Sequence, residues 1–168
     1  VTGRRTPPPG LAIASESDIS AAAAAGFATL VTRLFPGEGL VRPEREGGYP
    51  VRLVDGDGGP EGYALRFSHD RVLIEANTQS GFFYGLITLG QVLRGARLNL
   101  QSLAFPTHGT ITDEPALRWR GCHLDVARRF YGRDEVEQFL AILAWNKLNV
   151  FHWHLSDDEA WRVELQSY

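Results

Sequence analysis

Residues 146–161, NKLNVFHWHLSDDEAW, bring together side chains that commonly do chemistry: two histidines, two aspartates and two tryptophans. Positions 148–155 alternate as a β-strand does, so that successive side chains point to opposite faces. One face carries Phe151, Trp153 and Leu155, and the other carries Val150, His152 and His154. The aromatic face suits a covering helix, and we expect the histidines to point away from it into the interior of a sheet or barrel.

Charged residues follow this strand and the predicted strand before it. Asp157 and Asp158 come after the second strand, and Arg128 and Arg129 come after the first, in LDVARRF. The carboxyl ends of neighbouring parallel strands meet at one edge, where ligands gather in open and barrel sheets. The sequence therefore predicts a shared mouth that holds cations and carboxylates. A purely structural alternative is that Arg128 pairs with an aspartate and fixes the strand ends.

A metal site is a second interpretation of the same residues. His-x-His followed by carboxylates, as in His152 and His154, is a ligand pattern of zinc hydrolases. No further histidine or cysteine follows them, and the spacing is common by chance. We therefore expect these histidines to be hydrogen-bonded inside a barrel, and we predict no metal and no organic cofactor.

The elements around this site predict a β-α-β unit. RGCHLDVA (120–127) is typical of a strand, and DEVEQFLAILAWNK of a helix capped by Asp134 with Glu137 three residues later. The helix is expected to bury four apolar side chains: Val136, Phe139, Leu140 and Leu143. Two strands joined by a helix run parallel. The unit is too small to be a domain, so its strand edge near Val150 predicts self-association.

The first two thirds of the chain predict a separate α+β domain. LAIA (11–14) is predicted to be a first strand, and three later strand-like runs, YPVRLVDG, GYALRFS and RVLIEA, are interpreted as an antiparallel meander. Helices are predicted over 20–34 and from Ser80, with a stripe of Phe82, Leu86, Leu89 and Leu93 on the second. Pro106, Gly109 and Pro115 cluster, so we place a linker there and divide the chain into residues 1–110 and 111–168.

Composition narrows the class of protein. The chain has 168 residues, 43% hydrophobic and 22% charged, with a formal net charge of −3, which is typical of globular protein and does not favour nucleic acid as a partner. Its apolar runs are too short to predict a membrane span. A single cysteine, Cys122, excludes an internal disulfide. No methionine is present, so we expect both ends to be cuts; the compartment cannot be predicted.

The segment RWRGCHLDVARRFYGRDEVEQFLAILAWNKLNVFHWHLSDDEAWRVEL resembles the opening of the catalytic barrel of glycoside hydrolase family 20, the β-N-acetylhexosaminidases. EGYALRFSHDRVLIEANTQSGFFYGLITLGQVL resembles the small domain that precedes that barrel. The resemblance covers residues 13–165. It implies an α+β accessory domain, with an antiparallel sheet and two helices, followed by the first β-α-β of a truncated TIM (β/α)8 barrel.

The resemblance also implies roles for two residues. Arg128 matches the arginine that binds the 3- and 4-hydroxyls of the terminal sugar, and Asp157 matches a carboxylate that supports the catalytic acid. It gives no role for His152, His154 or Asp158. The catalytic Asp-Glu pair is expected beyond residue 168, so this chain alone is predicted to be inactive on amino-sugar glycosides. The alternatives are a non-catalytic carbohydrate-binding or interaction module and a metal-dependent barrel hydrolase.

Overall fold

The structure, a computed structural model, describes residues 1–99 and 104–164 and divides into two compact units, Val1–Ala116 and Leu117–Tyr168. In chain order its elements are β1 (Thr2–Arg5), β2 (Leu11–Ser15), α1 (Asp18–Leu34), β3 (Tyr49–Asp55), β4 (Tyr63–Phe67), β5 (Val72–Ala76), α2 (Gln79–Leu98), β6 (Phe105–Asp113), β7 (Gly121–Asp125), α3 (Arg133–Trp145), β8 (Val150–His154), β9 (Ser156–Asp157) and β10 (Ala160–Trp161). Among the described residues, no helix is both long and apolar enough to cross a membrane.

The first unit is built on a six-stranded sheet in the order β1-β6-β4-β5-β3-β2. The sheet is mixed, so the predicted antiparallel meander is wrong. β4 and β5 form an antiparallel hairpin, but β5 inserts between β4 and β3 and runs parallel to β3, which is itself parallel to β2. Alternating hydrophobicity identifies each of these strands, but it does not determine which strands pair.

Two segments predicted to be irregular are strands. Residues 2–5, expected to be an extended lead-in, pair antiparallel with β6. Residues 105–113, expected to contain a linker, form β6, which also pairs with β4 from Tyr63 to Phe67. The first unit ends at Ala116, six residues beyond the predicted end of the first domain at residue 110.

Both helices of the first unit begin at a side-chain cap. Ser17 accepts a hydrogen bond from the backbone N–H of Ser20, and the Ser20 hydroxyl accepts from the backbone N–H of Ser17, which closes a capping box. Thr78 accepts from the backbone N–H of Gly81 in the same way. The predicted stripe of α2 is confirmed, because its four members are buried: Phe82, Leu86, Leu89 and Leu93. A Cβ at Gly85 would lie 2.7 Å from Ile74 Cγ2, so α2 lies very close to β5.

The second unit contains the predicted strand, helix and strand, with β7 and β8 parallel. The helix cap differs from the prediction: α3 begins after Gly132, whose backbone N–H donates to Glu135 Oε2 at 2.8 Å, while Asp134 lies in the first turn. Val136 and Leu143 are buried as predicted, whereas Phe139 is half-buried and Leu140 is 40% exposed. Leu140 therefore does not belong to the core of this unit.

Candidate active site

The amino ends of β7 and β8 are tied together by the residues that flank them. Asn149 Oδ1 accepts from the backbone N–H of Arg120 at 3.0 Å, and Asn149 Nδ2 donates to the carbonyl of Arg118 at 2.8 Å. Arg120 Nε donates to the carbonyl of Lys147 at 2.7 Å, and Lys147 has a left-handed φ of 57° where α3 ends. These contacts fix the register in which Asp125 lies opposite His154. The side chains at the other end of the strands are positioned by this register.

Asp125 ends β7 and organises the turn that follows. Its Oδ1 accepts from the backbone N–H groups of Ala127 (2.9 Å) and Arg128 (3.0 Å), and its Oδ2 accepts from Arg128 Nη1 at 2.7 Å. The hydrogen bond from the Arg128 backbone contributes most to lowering the pKa of Asp125, and the Arg128 guanidinium also contributes. Asp125 is therefore ionised at neutral pH, and it orients the Arg128 side chain through the hydrogen bond to Nη1.

Asp157 approaches the same guanidinium from β9, after the second strand. Its Oδ2 lies 2.6 Å from Arg128 Nη2 and 2.8 Å from His154 Nε2, while its Oδ1 accepts from the backbone N–H of Asp158 at 2.8 Å. The backbone hydrogen bond from Asp158 is the main cause of a lowered pKa of Asp157, followed by the hydrogen bond from His154. An ionised carboxylate only accepts, so the proton of the shared bond resides on His154 Nε2.

Arg128 thus has carboxylates on three sides. Besides Asp125 and Asp157, Glu159 Oε2 lies 3.5 Å from its Nε. The hydrogen bond with Asp125 and the charge of Asp157 raise the pKa of Arg128. Even so, the side chain is 56% exposed and accessible to a ligand.

The turn after β7 is also hydrogen-bonded to Arg162, a residue that follows β10. Arg162 Nε donates to the carbonyl of Val126 at 3.0 Å, and Arg162 Nη2 donates to that of Ala127 at 3.1 Å. The backbone of Val126 donates to the carbonyl of His154 at 3.1 Å. The segment that carries Arg128 is therefore anchored to both β8 and the chain beyond β10.

The two faces of β8 are divided as predicted. Phe151 packs edge to face on Phe139 of α3, with ring centroids 5.8 Å apart, and stacks on Trp153 at 6.2 Å. On the opposite face, His152 and His154 meet His123 of β7 at centroid distances of 4.6 and 5.5 Å. Phe139 of the helix contacts the aromatic face at Phe151, and the three imidazoles lie together on the other face.

The predicted mouth is therefore present, and the predicted pairing of Arg128 with an aspartate is confirmed. The role of Arg128 in sugar binding and that of Asp157 in support stay predictions. Asp158 contributes its backbone N–H to Asp157, and its side chain is exposed. Sequence reasoning missed Asp125 and His123. These two residues are two positions apart and therefore share one face of β7. Only the β7–β8 register shows that they lie beside His152 and His154.

Comparison with known proteins assigns both units to one family. Residues 117–168 match the model of the glycosyl hydrolase family 20 catalytic domain, and residues 7–114 match that of glycosyl hydrolase family 20 domain 2. The beta-N-acetylhexosaminidase of Cellulomonas fimi is 40% identical over 127 residues, 73% of this chain and 25% of that protein. A chitooligosaccharidolytic beta-N-acetylglucosaminidase of Bombyx mori is 33% identical over 162 residues, 89% of this chain and 27% of that protein.

Solved structures give the same result. The Vibrio harveyi GH20 exo beta-N-acetylglucosaminidase, in complex with N-acetylglucosamine, has a TM-score of 0.73 at 30% identity and covers 95% of this chain and 24% of that one. The Streptomyces plicatus N-acetyl-beta-hexosaminidase has a TM-score of 0.70 at 32% identity, with 98% and 34% covered. The chain spans about a quarter of the length of the two curated relatives named above.

Proposed function

The chain belongs to glycosyl hydrolase family 20, and from this premise we propose that it supplies one side of the active site of a β-N-acetylhexosaminidase. The intact enzyme removes terminal β-linked N-acetylglucosamine or N-acetylgalactosamine from the non-reducing end of a glycan. The observation that carries the proposal is the cluster of Arg128, Asp125 and Asp157 at the carboxyl ends of two adjacent parallel strands. This is the edge at which ligands bind to barrel enzymes.

The second unit is, in this proposal, the first β-α-β of a (β/α)8 barrel. Parallel pairing of β7 and β8 across α3 supports it. So does the distribution of apolar surface: of the eleven large hydrophobic side chains that are exposed among the described residues, eight lie between Leu117 and Val163. Further strands and helices of the barrel would cover these side chains. The two remaining alternatives, a non-catalytic binding module and a metal-dependent barrel hydrolase, have no support among the relatives, which are named as hexosaminidases.

Arg128 is proposed to hold the 3- and 4-hydroxyls of the terminal sugar. A guanidinium has five N–H donors in a rigid plane, which suits two neighbouring hydroxyl oxygens. Nη1 and Nη2 each carry two hydrogens, and each nitrogen makes one short contact to an aspartate, to Asp125 and Asp157 respectively. One hydrogen on each nitrogen is left for the sugar. The aspartates hold the plane in place before the substrate binds, so less side-chain entropy is lost on binding.

Asp157 is proposed to support the site rather than to break the bond. Its two oxygens are occupied by Arg128, His154 and the Asp158 backbone, so it is committed to orienting its neighbours. In the reaction proposed from family membership, the substrate's own 2-acetamido oxygen attacks the anomeric carbon with net retention. An aspartate orients the acetamido group and a glutamate protonates the departing oxygen. That pair is proposed to lie outside residues 1–168, which alone would be inactive.

Self-association of the 168-residue chain is a further part of the proposal. In the described part of the chain, β7 and β8 pair only with each other, so each has an outer edge without a strand partner. Trp153 is 47% exposed beside one of these edges. Sedimentation velocity should therefore give a mass that rises with concentration above the 18.6 kDa monomer, and a constant monomer mass would contradict this part.

The role of Arg128 is testable in a chain extended through the remaining barrel. Arg128→Lys keeps the charge but loses the planar fork, so kcat/KM for an aryl N-acetyl-β-glucosaminide should fall by about 10²-fold, the value of one or two charge-assisted hydrogen bonds. Arg133→Lys is the matched control, because Arg133 is an exposed arginine at the start of α3 that pairs with Glu137. It should leave kcat/KM unchanged.

A substrate without the 4-hydroxyl separates binding from general damage. Arg128→Lys should lower kcat/KM by a smaller factor on this substrate, because the hydrogen bond from Arg128 to the 4-hydroxyl is already absent. Equal losses on both substrates, with a normal thermal midpoint, would refute sugar binding by Arg128. Activity of Arg128→Lys equal to that of Arg133→Lys would refute it more simply.

A further inference from the structure

Three imidazoles from two neighbouring strands converge on one face of the β7–β8 pair. His123 lies directly opposite His152 in the register, and His154 lies two residues further along β8. The ring centroids of His152 and His154 are 5.9 Å apart, and those of the other two pairs are closer. Each ring offers a nitrogen, and these three nitrogens all lie within 4.8 Å of one another.

We infer that His123, His152 and His154 form a binding site for a divalent transition-metal ion such as Zn²⁺, with three imidazole ligands and one open position. Neutral imidazole is a preferred ligand of zinc, copper and nickel ions. Tetrahedral coordination with bonds of about 2.0–2.1 Å needs nitrogens about 3.4 Å apart. The nitrogens, which lie within 4.8 Å of one another, therefore have to approach by up to about 1.4 Å. His123 and His152 are exposed, so their side chains have room to rotate.

The surroundings of His154 favour this site. Asp157 Oδ2 accepts from His154 Nε2 at 2.8 Å, so in the neutral ring Nδ1 is the nitrogen that can bind a cation. A carboxylate behind a ligating histidine is the usual arrangement at zinc sites, where it fixes the tautomer and the ring orientation. Asp125 and Asp157 each offer a carboxylate oxygen within 4.8 Å of a ring nitrogen of His154, and Arg128 pairs with both, so these three charged side chains carry a net charge of −1 that favours a cation.

The competing interpretation is that the histidines are hydrogen-bonded in an interior, as the sequence predicts. Within residues 1–99 and 104–164, His123 and His152 make ring-to-ring contacts and have no hydrogen-bond partner for their ring nitrogens. The expectation of no metal was based on two histidines in one strand. His123, contributed by the neighbouring strand, supplies the third ligand. The inference is independent of the proposed hydrolysis, because it concerns binding alone.

The test is a titration of the metal-free 168-residue chain with Zn²⁺, by calorimetry and by competition with a chromophoric chelator. One ion per chain should bind with a dissociation constant in the micromolar range. His123→Gln and His152→Gln should each weaken binding at least tenfold, because changing even a residue that only supports a metal ligand costs about 10- to 100-fold. His69→Gln is the matched control, because His69 is exposed in a turn of the first unit, and it should leave the affinity unchanged.

A second measurement on the unaltered chain removes dependence on how the variants fold. Co²⁺ should give visible absorption bands of a four- or five-coordinate ion, and anomalous X-ray scattering from Zn²⁺-soaked crystals should place one peak between the three rings. Bound ion should also raise the thermal midpoint, because it links β7 to β8. Absence of saturable binding below millimolar Zn²⁺, unchanged affinity in both histidine variants, or a peak elsewhere would overturn the inference.

Discussion

Replacing Gly85 with alanine should destabilise the first unit, although alanine is the better helix former. Gly85 lies in the middle of α2, where the exchange alone gains about 0.5–1 kcal/mol. The new Cβ would lie 2.7 Å from Ile74 Cγ2 and 3.4 Å from Tyr63 Cδ2. Ile74 is fully buried, and its Cγ2 branches directly from Cβ, so it cannot move without shifting β5. Overpacking of this kind costs about 1–3 kcal/mol.

At the middle of these ranges the net effect is a free energy of unfolding lower by about 1 kcal/mol, with an upper bound of about 2.5 kcal/mol, measured by urea denaturation with circular dichroism. Gly26→Ala is the matched control in α1, because the nearest atom to its Cβ, Phe83 Cε2, lies 3.6 Å away in ordinary contact. That change should raise the free energy of unfolding by about 0.5–1 kcal/mol. Equal stabilisation by both changes would refute the close packing of α2 on β5.

Two further predictions concern polar contacts in the first unit. Tyr63→Phe should lower the free energy of unfolding in urea by about 1–2 kcal/mol. The Tyr63 hydroxyl donates to Asp113 Oδ2 at 2.7 Å and lies 2.6 Å from Thr88 Oγ1, and both contacts would be lost. An unchanged free energy of unfolding would mean that water replaces the hydroxyl. The hydrogen bond from Arg94 lowers the pKa of Glu38, so the stability from this half-buried pair is present above the ordinary glutamate pKa and is lost as pH falls through the lower folded value. Glu38→Gln should therefore cost about 1 kcal/mol at pH 7 and almost nothing near pH 2; an equal cost at both would contradict this origin.

Local patterns predicted most elements of the fold but not their arrangement. The apolar stripe of α2 and the alternation of β4 and β5 depend only on residues that are close together in the chain, so both could be predicted from the sequence. The insertion of β5 between β3 and β4 could not be predicted, because other long-range pairings of the same strands fit their alternation equally well. β1 was missed for a different reason: TGRR has no apolar face, and its pairing with β6 depends on the backbone alone.

The site follows the same division. Arg128 and Asp157 could be assigned from motif resemblance, because their order along the chain is distinctive. That Asp125 and His123 belong to the site follows only from the register of β7 against β8. Asn149 and Arg120 fix this register at the amino ends of the two strands. A single strand shows which residues share a face. Only the paired strands show which side chains meet across it.

The most direct test of the proposed divided site is hydrolysis of an aryl N-acetyl-β-glucosaminide by the 168-residue chain, measured beside the same chain extended through the remaining barrel. Turnover is expected only in the extended chain, with Arg128 and Asp157 contributing to a site whose acid lies elsewhere. Turnover by the 168-residue chain that is lost in Asp157→Asn would contradict it, because the bond-breaking carboxylate would then lie among the residues described above.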